Sequence, residues 1–174
     1  PVVPNASLLS VSLSGEMAVL LNPRTVAFQT TGTLSRVPFS GGAPREVLEK
    51  VQWADWSPDG NLAIVRDGEK GNQLEFPIGK VLYQTAGFIS NPRFSPTGDR
   101  IGFIHHARAN DDSGEVATVD LNGQIKTLTR KWGSAWGLAW MRATNEIWFT
   151  AAPGGSKREL LAVTMSGTQR TIFP

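Results

Sequence analysis

Residues 54–65 read A-D-W-S-P-D-G-N-L-A-I-V, and residues 92–104 read P-R-F-S-P-T-G-D-R-I-G-F-I. In both, an aromatic residue precedes Ser-Pro-x-Gly and an apolar run follows it. Two weaker copies flank them: S-V-S-L-S-G-E-M-A-V-L-L at 10–21 and L-A-W-M-R-A-T-N-E-I-W-F-T at 138–150. The equivalent positions are Ser12, Ser57, Ser95 and Met141, spaced by 45, 38 and 46 residues. A period of roughly 40–45 residues with about four short strands per unit marks the blades of a β-propeller. The expected fold class is all-β: one domain over 1–174 of four four-stranded antiparallel blades. Their approximate spans are 8–48, 53–86, 91–130 and 136–173, in a partial or self-associating ring.

Within a unit the strands are legible from alternation and turns. Asn61–Arg66 is apolar on both sides, Leu62 and Ile64 on one and Ala63 and Val65 on the other, as in a strand covered on both faces. Turn clusters follow at Asp67–Asn72, at Ile78-Gly79 and at Asn122-Gly123, the last a strong hairpin signal. The first unit uses Gly41-Gly42 and the fourth Gly154-Gly155 and Ser166-Gly167. No stretch carries a capped helical period, so almost no helix is expected. In the turns themselves Pro58 and Pro96 preset φ, Gly60 and Gly98 can take positive φ, and Asp59 is placed to bond the turn backbone. Trp56, Phe94 and Trp140 share one repeat position and read as inter-blade core.

Composition narrows the function classes. The chain has 18 Gly and 11 Pro, as short strands punctuated by turns require. Its formal charge is +2 with scattered basic residues, which argues against a dedicated nucleic-acid surface. It has no cysteine, hence neither disulfide nor thiol chemistry. No apolar run approaches the roughly 18 residues of a membrane-crossing helix, and no signal peptide is visible. A start at Pro-Val-Val-Pro reads as a processed or excised segment of something longer.

The W-S-P-D-G and F-S-P-T-G turns resemble the repeat of TolB-like propellers. They are similar to the propellers that follow the kinase domain in bacterial transmembrane serine/threonine kinases, and to those of some winged-helix regulators. The stretches at 41–60 and 130–140 are most similar to the kinase-associated group. The resemblance covers nearly the whole chain. Family members mostly have six or more blades, so four imply a longer propeller or ring completion by self-association. Two units depart from the motif, with Leu13 in place of Pro and Met141-Arg142-Ala143 in place of Pro-Asp-Gly, which predicts longer or distorted turns there. The resemblance implies a periplasmic or extracytoplasmic setting.

Catalytic motifs are missing: no Gly-x-Ser-x-Gly, no His-Glu-x-x-His and no phosphate loop. Gly154-Gly155-Ser156-Lys157 has no following helix and reads as a loop. The residues that look functional are aromatic. Trp53, Trp132 and Trp136 fall in segments joining one unit to the next, on the face expected to bear the channel mouth, where an exposed Trp makes a binding hot spot. Plugging gaps between blades is the alternative reading of each. His105 and His106, adjacent on one strand, point to opposite faces and cannot easily share a metal; they are grouped with the tryptophans as partner-binding candidates. No metal is expected, and if one binds, Asp111 and Asp112 would hold it, although a solvated turn is the simpler reading. No cofactor is expected. The function read here is a non-catalytic, non-enzyme module, the sensor or scaffold of a larger bacterial signalling protein. Its partner is a protein, peptide or small-molecule ligand at the channel face, with no nucleic acid and no membrane contact by this segment. The alternatives are a substrate-gating propeller of a hydrolase or peptidase, and a periplasmic TolB-like translocation component. Open faces on the first and fourth units, near Leu9, Val11, Leu138 and Trp148, predict self-association or further blades.

Overall fold

A computed structural model describes residues 3–155 and 157–174; Pro1, Val2 and Ser156, at the chain start and in the Gly154–Lys157 loop, lie outside the described residues. Among the described residues every regular element is a strand, and every strand pair is antiparallel. The strands are β1 (Ala6–Val11), β2 (Glu16–Val26), β3 (Gln29–Pro38), β4 (Arg45–Trp56), β5 (Leu62–Gly68), β6 (Gly71–Glu75), β7 (Val81–Thr85) and β8 (Phe88–Phe94). They continue as β9 (Arg100–His106), β10 (Glu115–Asp120), β11 (Ile125–Thr127), β12 (Ser134–Met141), β13 (Glu146–Ala152), β14 (Glu159–Val163) and β15 (Gln169–Phe173).

Two four-stranded sheets, β8–β11 and β12–β15, are the third and fourth blades. The first two blades are hydrogen-bonded into one seven-stranded sheet, because β4 belongs to both. Its first half pairs with β3 as the outer strand of blade 1, and its second half pairs with β5 as the inner strand of blade 2. Lys50, at φ 59°, stands between the halves. The architecture is thus an all-β arc of four blades.

The two-sided apolar runs do what their pattern implies. In β5, Leu62 and Ile64 pack back on Ala18, Leu20 and Leu34 of blade 1. Ala63 and Val65 pack forward on Ile101 and Phe103 of blade 3. Ile104 and Val116 of blade 3 meet Ile147, Phe149 and Leu161 of blade 4. The core is therefore three slabs lying between successive blades, and alternate residues of each second strand face opposite sides of their blade.

Each inner strand carries a register break: Leu8/Ser10 in β1, Val51/Trp53 in β4, Ser90/Arg93 in β8 and Trp136/Leu138 in β12. A bulge disrupts the period-two alternation and bends the strand. For that reason all four inner strands begin earlier than the sequence pattern indicates, at Ala6, Val51, Phe88 and Ser134.

The Ser-x-x-Gly turns are built by serine rather than aspartate. The Ser57 hydroxyl accepts the Asn61 N–H at 3.0 Å, while Asp59 is exposed. Ser12 does the same for Glu16 at 2.8 Å. The first turn is not distorted by Leu13: its backbone bonds, Ser12 to Glu16 and Gly15 to Ser12, match those of Ser57 with Asn61 and Gly60. The fourth turn does differ, closing at the Met141–Glu146 pair with Asn145 at φ 53°.

Candidate functional site at the inner-strand ends

The inner strands deliver the same four-residue segment of each repeat to one open groove of about 280 Å³. Its walls are Ser10–Leu13, Asp55–Pro58, Arg93–Pro96, and Ala139, Trp140 and Arg142. Around the groove, the position two before the repeat serine is occupied in turn by Ser10, Asp55, Arg93 and Ala139. The next position is Val11, Trp56, Phe94 and Trp140.

Asp55 is the centre of this arrangement and is nearly buried, at 7 % exposure. Its Oδ1 accepts the Ser10 hydroxyl from blade 1 at 2.6 Å, and its Oδ2 accepts the Phe94 N–H from blade 3 at 2.8 Å. The Arg93 guanidinium stands 3.9 Å away. Burial pushes the Asp55 carboxyl above its ordinary pKa, opposed by these bonds and by Arg93. One carboxylate thus joins three blades. Trp140 adds a fourth link, its indole N–H donating to the Arg93 carbonyl at 2.9 Å.

The cationic side of the groove is less committed. Arg93 donates to the Pro92 carbonyl at 2.8 Å, and Arg142 is exposed and makes no ion pair among the described residues. Chemically the groove offers two guanidiniums beside apolar Val11, Leu13 and Trp140, a set suited to binding an anionic group next to an apolar one. Ser10 is one hydrogen bond from a carboxylate, but both histidines lie elsewhere.

The residues singled out in sequence fall mostly at the other, leading end of the inner strands. Trp53 and Trp136 come together there, ring centroids 6.3 Å apart and edge to face, and His106 lies 6.1 Å from Trp136. His106 is fully buried, stacked on Phe88 at 3.9 Å, so it is interior rather than a partner contact. Its Nδ1–H donates to the Ser113 carbonyl and its Nε2 accepts from Ser90 Oγ, which satisfies the neutral ring; burial holds its pKa down at about 4. His105 stands apart, between Tyr83, Thr85 and Glu115. Trp132 is separate again, half-buried against Phe149 under the Arg130 guanidinium. Asp111 and Asp112 are occupied as turn and clamp residues. Asp111 accepts the Ser113 N–H, and Asp112 accepts Ser134 Oγ and pairs with Arg158. No group of three or more metal-ligating side chains forms among the described residues.

In sequence the groove's segment has the pattern of a folding device, the strand end and turn of each repeat. The available signal was the residue two before the serine. It changes from Ser to Asp to Arg to Ala, while the aromatic position after it and the serine position each hold their type in three of the four units.

In sequence, no family model and no curated protein matches the chain. In structure, it is similar to TolB from Acinetobacter baumannii, with a TM-score of 0.72 and 15 % identity over 97 % of this chain. It is also similar to the β-propeller domain of the Trilobed protease from Pyrococcus furiosus, with a TM-score of 0.61 and 14 % identity over the whole chain. A third similar structure is an oligogalacturonate lyase from Vibrio parahaemolyticus, with a TM-score of 0.60 and 10 % identity over 99 %. The chain spans 43 %, 59 % and 55 % of those three chains. The fold is that of a TolB-like β-propeller, present here as a four-blade arc.

Proposed function

We propose that this chain is a non-catalytic binding module that takes a partner carrying a carboxylate at the groove where the four inner strands end. The observation that supports this is the division of labour around Asp55. Its carboxylate is used up holding three blades together, while Arg93 and Arg142 stand at the same opening with donors to spare. A rigid bracket beside Arg142, which makes no ion pair among the described residues, is a recognition surface. The larger setting proposed is the sensor or scaffold part of a bacterial signalling protein, on the strength of the Trp-Ser-Pro-Asp-Gly repeat.

The test is titration of the isotope-labelled chain with short peptides ending in Glu or Asp, followed by nuclear magnetic resonance. Shifts at Arg93, Arg142 and Trp140, lost in Arg142→Ala with the urea midpoint unchanged, are the expected result. Shifts confined to Trp53 and Trp136 would move the site to the leading end. Turnover of a peptide or glycoside that ends on mutating Ser10 or Asp55 would replace binding with catalysis.

A further inference from the structure

The β2–β3 hairpin is longer than its counterparts in the other blades, and it is bent. Asn22, at φ 51°, and Pro23 stand in a register break between Leu21 and Arg24. Beyond the break Arg24 pairs with Thr31, and Val26 with Gln29. Opposite it, a Cβ on Gly32 would lie 2.6 Å from the Leu21 carbonyl oxygen, so the bend needs glycine there. The hairpin tip reaches as far as blade 3, where Gln29 Nε2 donates to the Ala109 carbonyl at 3.4 Å. A cavity of about 310 Å³ lies against it, walled by Arg24, Gln29 and Thr31 of the hairpin, Gln52 of β4, Asp67 of β5 and Asn110 of blade 3.

A chain of amides fixes the polarity of these walls. The Ile89 N–H donates to Asn72 Oδ1 at 2.9 Å. Asn72 therefore turns its NH2 the other way, to Gln52 Oε1 at 2.7 Å and Asp67 Oδ1 at 2.9 Å. Gln52 then gives its own NH2 to Gln29 Oε1 at 3.0 Å and Asp67 Oδ2 at 3.2 Å. Each orientation is dictated by the one before it, starting from a backbone group. Gln52 is 3 % exposed and Asn72 is 2 % exposed, so the two central amides are held in place. The result gathers acceptors, the Asp67 carboxylate and Gln29 Oε1, around one point. Arg24 lines the same cavity and makes no ion pair among the described residues, with Asp67 or with any other carboxylate.

We propose that this cavity binds a small zwitterion, a free α-amino acid, with its carboxylate on Arg24 and its ammonium on Asp67 and Gln29 Oε1. Opposite charges that line one cavity without pairing are matched by a ligand carrying the reverse separation. The guanidinium offers a carboxylate two parallel donors, and an ammonium, with three N–H bonds to give, needs gathered acceptors. A cavity of this size stands at the small end of ligand pockets. Val26 is its one apolar wall residue, and no aromatic face is present for a sugar ring to lie on. The site is at the opposite end of the inner strands from the Asp55 groove and does not depend on it.

The test is titration of the isotope-labelled chain with L-alanine and L-glutamine, read by nuclear magnetic resonance at the Gln29 and Gln52 side-chain amides and at Arg24 Nε–H. Saturable shifts at these groups are expected, with affinity falling about tenfold or more in Arg24→Gln and in Asp67→Asn. N-acetyl-L-alanine, which lacks the ammonium, and L-alaninamide, which lacks the carboxylate, should lose as much. Arg24 is exposed, so its variant should keep the wild-type urea midpoint. Should Asp67→Asn unfold, Arg24→Gln and the two blocked derivatives decide. Absence of shifts at about 10 mM amino acid, tenfold above a millimolar Kd, overturns the proposal. So does equal affinity for N-acetyl-L-alanine, or saturable shifts with glucose and none with either amino acid.

Discussion

Trp56 lies between the first two blades at 6 % exposure, with the Arg36 guanidinium 4.9 Å above its ring. Truncation to alanine leaves a cavity in the slab between those blades and is expected to cost about 3–5 kcal/mol. The reading is a lower urea midpoint at unchanged slope. His106 gives a second residue-scale expectation. Its folded pKa is about 4 against an ordinary 6.5, so in acid the unfolded chain takes a proton that the folded chain refuses. The stability it contributes is complete above pH 6.5 and is lost as pH falls toward 4, by about 3 kcal/mol in total. Urea midpoints across that window should fall in the wild type and stay flatter in His106→Asn; equal slopes with pH would show that the ring is not held neutral. Trp56 was legible as core, because an aromatic recurring at the blade period has few other uses. His106 was not, since its burial is created by Phe88, Ser90 and Ser113, brought together only by the blade.

At the scale of the element, the Ser-x-x-Gly turn is a self-contained device. The serine hydroxyl caps the second strand, the glycine takes positive φ, at 80° in both Gly15 and Gly60, and proline presets the residue between. Leu13 sits in the proline place of a turn whose bonds match those around Pro58, and its N–H is in none of the turn's hydrogen bonds. Leu13→Pro should therefore stabilise by about 0.4–1 kcal/mol, by narrowing the unfolded chain's choices. A lower thermal midpoint would show that the two turns are not equivalent. The turns and second strands could be read from sequence because their rules are local. The leading halves of the inner strands could not, since bulges break the alternation on which reading depends.

For the whole molecule, stability is laid down in slabs between blades, and the outermost strands take little part. β11 is exposed throughout and β15 almost so, whereas β5 and β9 each lie between two neighbouring blades. Amide exchange should therefore be fastest in β11 and β15 and slowest in β5 and β9. Uniform protection across each blade would mean that blades open as units. The aromatic pair Trp53–Trp136 spans blades 2 and 4, closing the leading end of the arc across the intervening blade. No local pattern could have announced that contact.

The sequence by itself determined the number of blades in this chain, where the turns fall and which residues alternate between neighbouring slabs, because repetition at a fixed period needs no knowledge of the third dimension. Only the tertiary structure decided that Ser10, Asp55 and Phe94 meet, that His106 is buried against Phe88, and that the groove opens at the trailing end of the inner strands. Those facts depend on how far one blade is rotated against the next, and that rotation is set by side chains packing across all three slabs at once.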